Sequence, residues 1–165
     1  MTDPATISHQ PSAISHQPDD YACPFCGLLA GRFNERNDPD DIVVRESLAY
    51  ARVAPKCWVD HPGNALVVPT DHVENLYRLT LDQTTAVFDL VRRVAIAMRA
   101  SYDCDGVSIR QHNEPAGDQD VWHLHVHVLP RYVGDELYLN HHQTRRVALD
   151  ERRPYAQRLR SALSS

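Results

Sequence analysis

The stretch Trp122-His123-Leu124-His125-Val126-His127-Val128-Leu129-Pro130 alternates imidazole and apolar side chains. Successive side chains of an extended chain point to opposite faces, so this spacing predicts a strand over 121–130. His123, His125 and His127 then share one face, and Leu124, Val126 and Val128 share the other, which is expected in the core. The first face becomes a row of rings about 7 Å apart, twice the strand rise. A neutral ring nitrogen is nucleophilic near pH 7, and neighbouring rings donate protons or bind metal. Attack on phosphorus gives a phosphoramidate that water can hydrolyse. His125 has a partner ring on each side and is the expected nucleophile, provided that an acceptor holds its other nitrogen.

The elements around this stretch predict an α+β fold. Ile42-Val43-Val44 and Leu48 to Val53 read as strands around a Glu46-Ser47 turn, and Ala65-Leu66-Val67-Val68, closed by Pro69, as a buried strand. Thr80 and Gln83 form a capping box for a helix over 81–102, with Val87, Leu90, Val91, Val94, Ile96 and Met98 on its apolar side. Val107 to Gln111 is a further strand, and Pro154 to Leu163 an amphipathic last helix. Strands outnumber helices, which implies a mainly antiparallel sheet with one long helix packed on it, plus a C-terminal helix. Residues 1–20 carry a repeat, Ile7-Ser8-His9-Gln10-Pro11 and Ile14-Ser15-His16-Gln17-Pro18, and read as a disordered tail. The domain then runs over 21–135, followed by a C-terminal extension over 136–165. Residues 34–41 read as a charged loop, the basic stretch from Arg145 to Arg160 as a solvated helix, and His61, His141 and His142 as surface residues.

The 165 residues carry 17 basic and 22 acidic side chains, a net charge of −5. That is one ordinary domain, with no basic block to suggest a nucleic-acid or membrane surface. No apolar run reaches the roughly 18 residues of a membrane span. The opening Met1-Thr2-Asp3-Pro4 does not read as a secretory signal, so a cytoplasmic location is expected.

Cys23-Pro24-Phe25-Cys26 has the spacing at which two thiolates share a tetrahedral zinc ion. No second such pair exists in the chain, so two ligands must come from elsewhere, histidine being the obvious donor. The rival reading is a thiol redox module, which would place this motif after a strand and at the start of a helix. Cys57 and Cys104 read as plain thiols. The loop Gln111-His112-Asn113-Glu114-Pro115-Ala116-Gly117-Asp118-Gln119-Asp120 is rich in amides, which suit phosphate oxygens.

His123-Leu124-His125-Val126-His127-Val128-Leu129 resembles the His-φ-His-φ-His-φ-φ signature of the histidine triad (HIT) family, φ being apolar. The flanks are similar too: Ala116-Gly117, Gln119 and Val121 before it, and Pro130-Arg131-Tyr132 after it. Cys23-Pro24-Phe25-Cys26 with Ala30-Gly31 looks like the amino terminus of zinc-containing bacterial members. Leu66-Val67-Val68-Pro69 with His72 resembles another family signature. The resemblance implies a nucleotide hydrolase acting at the α-phosphorus, through a nucleotidyl intermediate on His125. His127 would contact the phosphate and help the leaving group, with Gln111, Asn113, Gln119 and Asp120 in the phosphate-contacting loop. Cys23, Cys26, His72 and His123 would hold a structural Zn²⁺, with no catalytic metal required. It further implies phosphoramidate or dinucleoside polyphosphate substrates, a purine base, and a homodimer formed through the long helix and a strand. The sequence departs from the family pattern at three places: Asn64 stands where a histidine usually supports the nucleophile, Asp120 where Ser or Thr is usual, and Asp118 adds a residue to the loop, which leaves the matches of Gln111 and Asn113 open by one place. In addition, the strand end Tyr50-Ala51-Arg52 lacks the acidic residue that some members use on the ribose. A nucleotide-binding regulator with little catalysis is the alternative that Asn64 and Asp120 raise.

Overall fold

The computed structural model describes residues 15–165, and the first copy of the repeat lies outside them. Five strands form one antiparallel sheet: β1 (Ile42–Arg45), β2 (Ala49–Val53), β4 (Ala65–Pro69), β5 (Gly106–Gln111) and β6 (Val126–Arg131), in the order β1-β2-β4-β6-β5. β3 (Lys56–Trp58) pairs with β7 (Thr144–Arg146) in a second, two-stranded sheet. Among the described residues there are three α-helices: α1 (Pro24–Leu29), α2 (Leu81–Ser101) and α3 (Leu149–Leu163). The fold is the expected α+β arrangement of antiparallel sheet and helices.

Period-2 alternation divides the sheet residues between two cores. Ala49, Ala51, Val53, Ala65, Val67, Val126 and Val128 face α2 and pack against its Val87, Leu90, Val91, Val94 and Met98. Tyr50, Leu66 and Val68 point the other way and bury Cys23, Phe25 and Leu28 of the amino-terminal segment. α2 begins at the expected capping box: Gln83 N donates to Thr80 Oγ1 (3.2 Å) and Thr80 N to Gln83 Oε1 (3.1 Å). Ile96, expected on its buried side, is 54% exposed, because Ala97 and Met98 take the core positions of that turn.

Six further expectations are corrected. The histidine strand starts at Val126, not Val121. β4 pairs with β6 only over Ala65–Val67. Past it Pro69 has no N–H for a ladder, and its carbonyl accepts from His123 Nε2 at 3.0 Å. Leu124 N donates instead to Val73 O (2.7 Å), so His123 and His125 lie in the irregular segment before the strand and only His127 lies in it.

α3 begins at Leu149, five residues before the expected Pro154. Asp150 and Glu151 complement the positive end of its dipole, and Pro154 falls in its second turn, forgoing one backbone bond. The helix is not merely solvated. Arg152 is fully buried, its Nε 2.6 Å from Asp41 Oδ1, and Asp41 Oδ2 accepts from Arg52 Nη2 at 2.9 Å. Arg52 also donates to Asn37 Oδ1 (2.6 Å) and the Arg36 carbonyl (2.6 Å). Through its buried Asn37 and Asp41, the otherwise largely exposed charged loop before β1 anchors β2 to α3.

His61, expected at the surface, is 2% exposed, with Nε2 2.9 Å from Asp135 Oδ2. Asp135 also takes a two-point contact from Arg131. Finally, Ser15 to Gln17, expected within a disordered tail, lie against the domain. Ser15 Oγ donates to Glu74 Oε2 (2.7 Å), and His16 N to Glu74 Oε1 (2.8 Å).

Gly63 sets the entry into β4. Its φ of +80° suits glycine, and a Cβ there would run into the Tyr155 ring of α3.

Candidate active site and metal centre

Register places His127 opposite both Leu66 on β4 and Arg110 on β5, on the face away from α2. His125 precedes the strand on that same side. Its Nδ1 lies 2.8 Å from the His123 carbonyl oxygen. A carbonyl only accepts, so Nδ1 carries the proton and Nε2 keeps a free lone pair. The rings of His125 and His127 are 5.0 Å apart, and Phe25 meets His125 edge-on at 5.2 Å. Burial pushes the His125 pKa down and the His127 pKa well below the usual histidine range, so both rings are neutral at pH 7. His127 Nδ1 is buried with no hydrogen-bond partner.

Two neighbouring cavities open near these rings, and His125 borders one of them. One, of about 260 Å³, is bordered by Phe25, Arg52, Lys56, Leu66, Asp120 and His125. The other, of about 340 Å³, is bordered by Lys56, Trp58, Arg110, His112, Asp120 and His141, among others. Trp58 and His112 meet the His127 ring edge-on at 5.3 and 5.8 Å. Lys56 and Asp120 border both cavities and lie 3.4 Å apart, while the other Asp120 oxygen is 3.9 Å from His125 Nε2.

The expected phosphate loop divides. Asp120 is exposed and reaches the site. The three amides are engaged within the protein. Gln119 is buried, with Nε2 donating to Glu74 O (2.6 Å) and Oε1 accepting from Glu114 N (2.8 Å). Asn113 Nδ2 donates to Gln111 Oε1 (2.6 Å), and Asn113 Oδ1 accepts from Leu76 N (2.8 Å). These bonds hold a strained loop, in which Glu114 and Asp118 have φ of 62° and 65°. Asn64 is fully buried, and neither side-chain atom has a partner.

Cys23, Cys26, His72 and His123 bring their ligand atoms within 4.8 Å of one another. Cys23 Sγ and His123 Nδ1 are 3.3 Å apart, as are Cys26 Sγ and His72 Nδ1. Tetrahedral zinc needs ligand separations of roughly 3.5 Å. Both rings are turned for ligation. His123 Nε2 donates to Pro69 O (3.0 Å) and His72 Nε2 to Gln17 Oε1 (2.7 Å), which frees each Nδ1 lone pair. The residues fit the metal that their spacing suggested. Among the described residues no strand precedes the cysteine pair, unlike the redox arrangement.

Trp58, Arg110, Lys56 and Phe25 went unassigned to the site in the sequence. Arg110 was traceable only once β5 is paired with β6. Trp58 depends on the pairing of β3 with β7, and its three-residue strand has no periodic pattern to read.

A triad of this geometry on this sheet defines a class, and the comparisons agree: the HIT domain model matches residues 35–134, and the chain belongs to the HIT family. "Protein hit" of Bacillus subtilis (strain 168) is 30% identical over 110 residues, 67% of this chain and 71% of that protein. A solved Zn-bound histidine triad family protein from Mycobacterium smegmatis is 26% identical with a TM-score of 0.72, covering 87% of this chain and 94% of that one. A bis(5'-adenosyl)-triphosphatase of Saccharomyces cerevisiae (strain YJM789) is 31% identical over 104 residues, 60% of this chain and 50% of that protein. The family thus includes nucleotide hydrolases among this chain's relatives. No helix among the described residues is long and apolar enough to cross a membrane.

Proposed function

We propose that this protein hydrolyses purine nucleotides at the α-phosphorus through a nucleotidyl intermediate on His125. The observation that carries this reading is the Nδ1 contact to the His123 carbonyl, which leaves Nε2 unprotonated beside the cavity of about 260 Å³. The nucleoside occupies that cavity against Phe25 and Leu66. His125 Nε2 attacks phosphorus in line with the departing group, and His127, neutral and with Nδ1 unpartnered, binds the phosphoryl oxygens and assists departure. Asp120 turns toward Lys56, and the loop framed by Gln111, Asn113 and Gln119 presents its backbone to the phosphate. Water then releases the nucleoside monophosphate.

Cys23, Cys26, His72 and His123 hold a structural zinc ion. Bound there, the ion supplies cross-linking of the amino-terminal segment to the triad, with four protein ligands and no open position. Two copies pair through α2 and the edge strand β5, a reading supported by the exposed Phe88, Ile96 and Ile109.

A second reading, a nucleotide-binding regulator, draws on Asp120 lying 3.9 Å from His125 Nε2, where a carboxylate repels phosphate. Hydrolysis assays on adenylyl and guanylyl phosphoramidates and dinucleoside polyphosphates separate the two. Turnover that His125→Ala abolishes, with nucleotide binding retained, supports the enzyme. Binding without turnover in the native protein supports the regulator.

A further inference from the structure

We propose that the cavity of about 340 Å³ beside His127 is a leaving-group subsite that selects an anionic, phosphate-bearing group over an amine. This rests on the hydrolase reading and names the substrate class within it, a nucleoside phosphoanhydride.

The charges on the wall point to an anion. Lys56 and Arg110 border the cavity together with His112, His141 and His142, against Asp118 and Asp120. Lys56 is shared with Asp120 at 3.4 Å, but Arg110 has no carboxylate partner among the described residues. Its guanidinium carbon lies 5.1 Å over the Trp58 ring, which holds the group in place, and its Nη1 is buried without any hydrogen-bond partner. A guanidinium on the cavity wall with no carboxylate partner offers a phosphate oxygen a charge-assisted bond. Arg110 stands directly across the strand pair from His127, and Lys56 and Asp120 border both this cavity and the one beside His125, so an anion held here adjoins the phosphorus that His125 attacks. A protonated amine leaving group would meet the same cations and be repelled.

His141, His142 and Thr144 of the wall come from the carboxy-terminal segment, beyond the residues 35–134 that match the family model. Trp58 pairs with Thr144, and its Nε1 donates to the His141 carbonyl at 2.8 Å. β7 thereby fixes both the ring under Arg110 and the His141–His142 turn at the cavity rim.

The chemistry balances with water alone. The Nε2 lone pair of His125 forms the N–P bond as the P–O bond to the bridging oxygen breaks, its electron pair leaving with the departing phosphate. Water oxygen then bonds to phosphorus, the N–P pair returns to His125, and a water proton passes to the released phosphate or to solvent. The products are a nucleoside monophosphate and the phosphorylated leaving group.

The test measures kcat/KM for diadenosine triphosphate and for an adenosine phosphoramidate with a simple amine, in native protein, Arg110→Gln and Arg110→Lys. Pyrophosphate binding is followed by calorimetry on the same proteins, and folding by thermal unfolding. Arg110→Gln is expected to lower activity on the phosphoanhydride by about 10-fold to 100-fold and to leave the phosphoramidate within about threefold, with Arg110→Lys in between. Equal losses on both substrates, or none, would overturn the subsite. If the native protein turns over neither substrate, the hydrolase reading fails, and calorimetry still decides the anion site. At least tenfold weaker pyrophosphate binding in Arg110→Gln upholds it, and unchanged or absent binding overturns it.

Discussion

The Nδ1 of His125 lies 2.8 Å from the carbonyl oxygen of His123, two residues back along the same chain. The contact makes the tautomer of the His125 ring a property of the backbone, because no substitution of a neighbouring side chain removes the acceptor. At pH 7 the His125 ring is expected to carry its proton on Nδ1 alone. Nitrogen-15 NMR of labelled imidazole checks this, and a protonated Nε2 would contradict it.

The metal site makes a separate prediction. Cys23 and His123 are 100 residues apart in sequence and 3.3 Å apart in space, so the proposed ion between them would close a long loop. Cys23→Ser is expected to reduce bound zinc from one per chain to near zero. It should also lower stability by roughly 2–4 kcal/mol, the order expected when metal binding contributes to folding. Metal analysis and chelator-dependent unfolding read both effects.

Asp41 bridges two buried guanidinium groups, those of Arg52 and Arg152. Asp41→Asn removes the charge that both require, and such a loss costs about 3–5 kcal/mol. Denaturant unfolding measures it. A change below about 1 kcal/mol would show that these arginines find other partners.

Much of this was legible in the sequence, for identifiable reasons. The alternation from His123 to Val128 and the Thr80–Gln83 capping box are local signals, and local signals survive folding. Cys23-Pro24-Phe25-Cys26 announced half of its metal site by spacing alone. What stayed hidden depends on distant segments meeting. Asp41 needs Arg152, 111 positions away, and His61 needs Asp135, 74 away. Pro154 misled because the N-cap of this helix, Ala148, makes no side-chain bond and so leaves no capping signal to read, while Pro154 lies inside the helix. Here the helix starts at Leu149, with Asp150 and Glu151 in its first turn. Pro69 carried the clue to the late start of β6, since a residue without N–H weakens the ladder on that side, but only the paired strands show that consequence.

Asp135 gives the fold a pH dependence. The side-chain bonds from Arg131 hold its carboxyl well below the usual carboxylate range. A depressed folded value means that the stabilisation is present above the unfolded pKa of about 4 and is lost as pH falls below it toward the folded value. Native protein should therefore lose stability steeply below about pH 4. Asp135→Asn should be less stable at pH 7 by roughly 2–4 kcal/mol and show a flatter profile in acid. Unfolding curves from pH 7 to pH 2 test the sign and the window.

The central claim is that His125 carries the nucleotide between two half-reactions. Its most direct test is intact-protein mass spectrometry, with peptide mapping, on samples quenched during turnover of an adenosine phosphoramidate. A mass increase of one adenylyl group, localised to His125 and absent in His125→Ala, is the predicted result. Product formed without any adduct on His125, or formed at the native rate by His125→Ala, would contradict it.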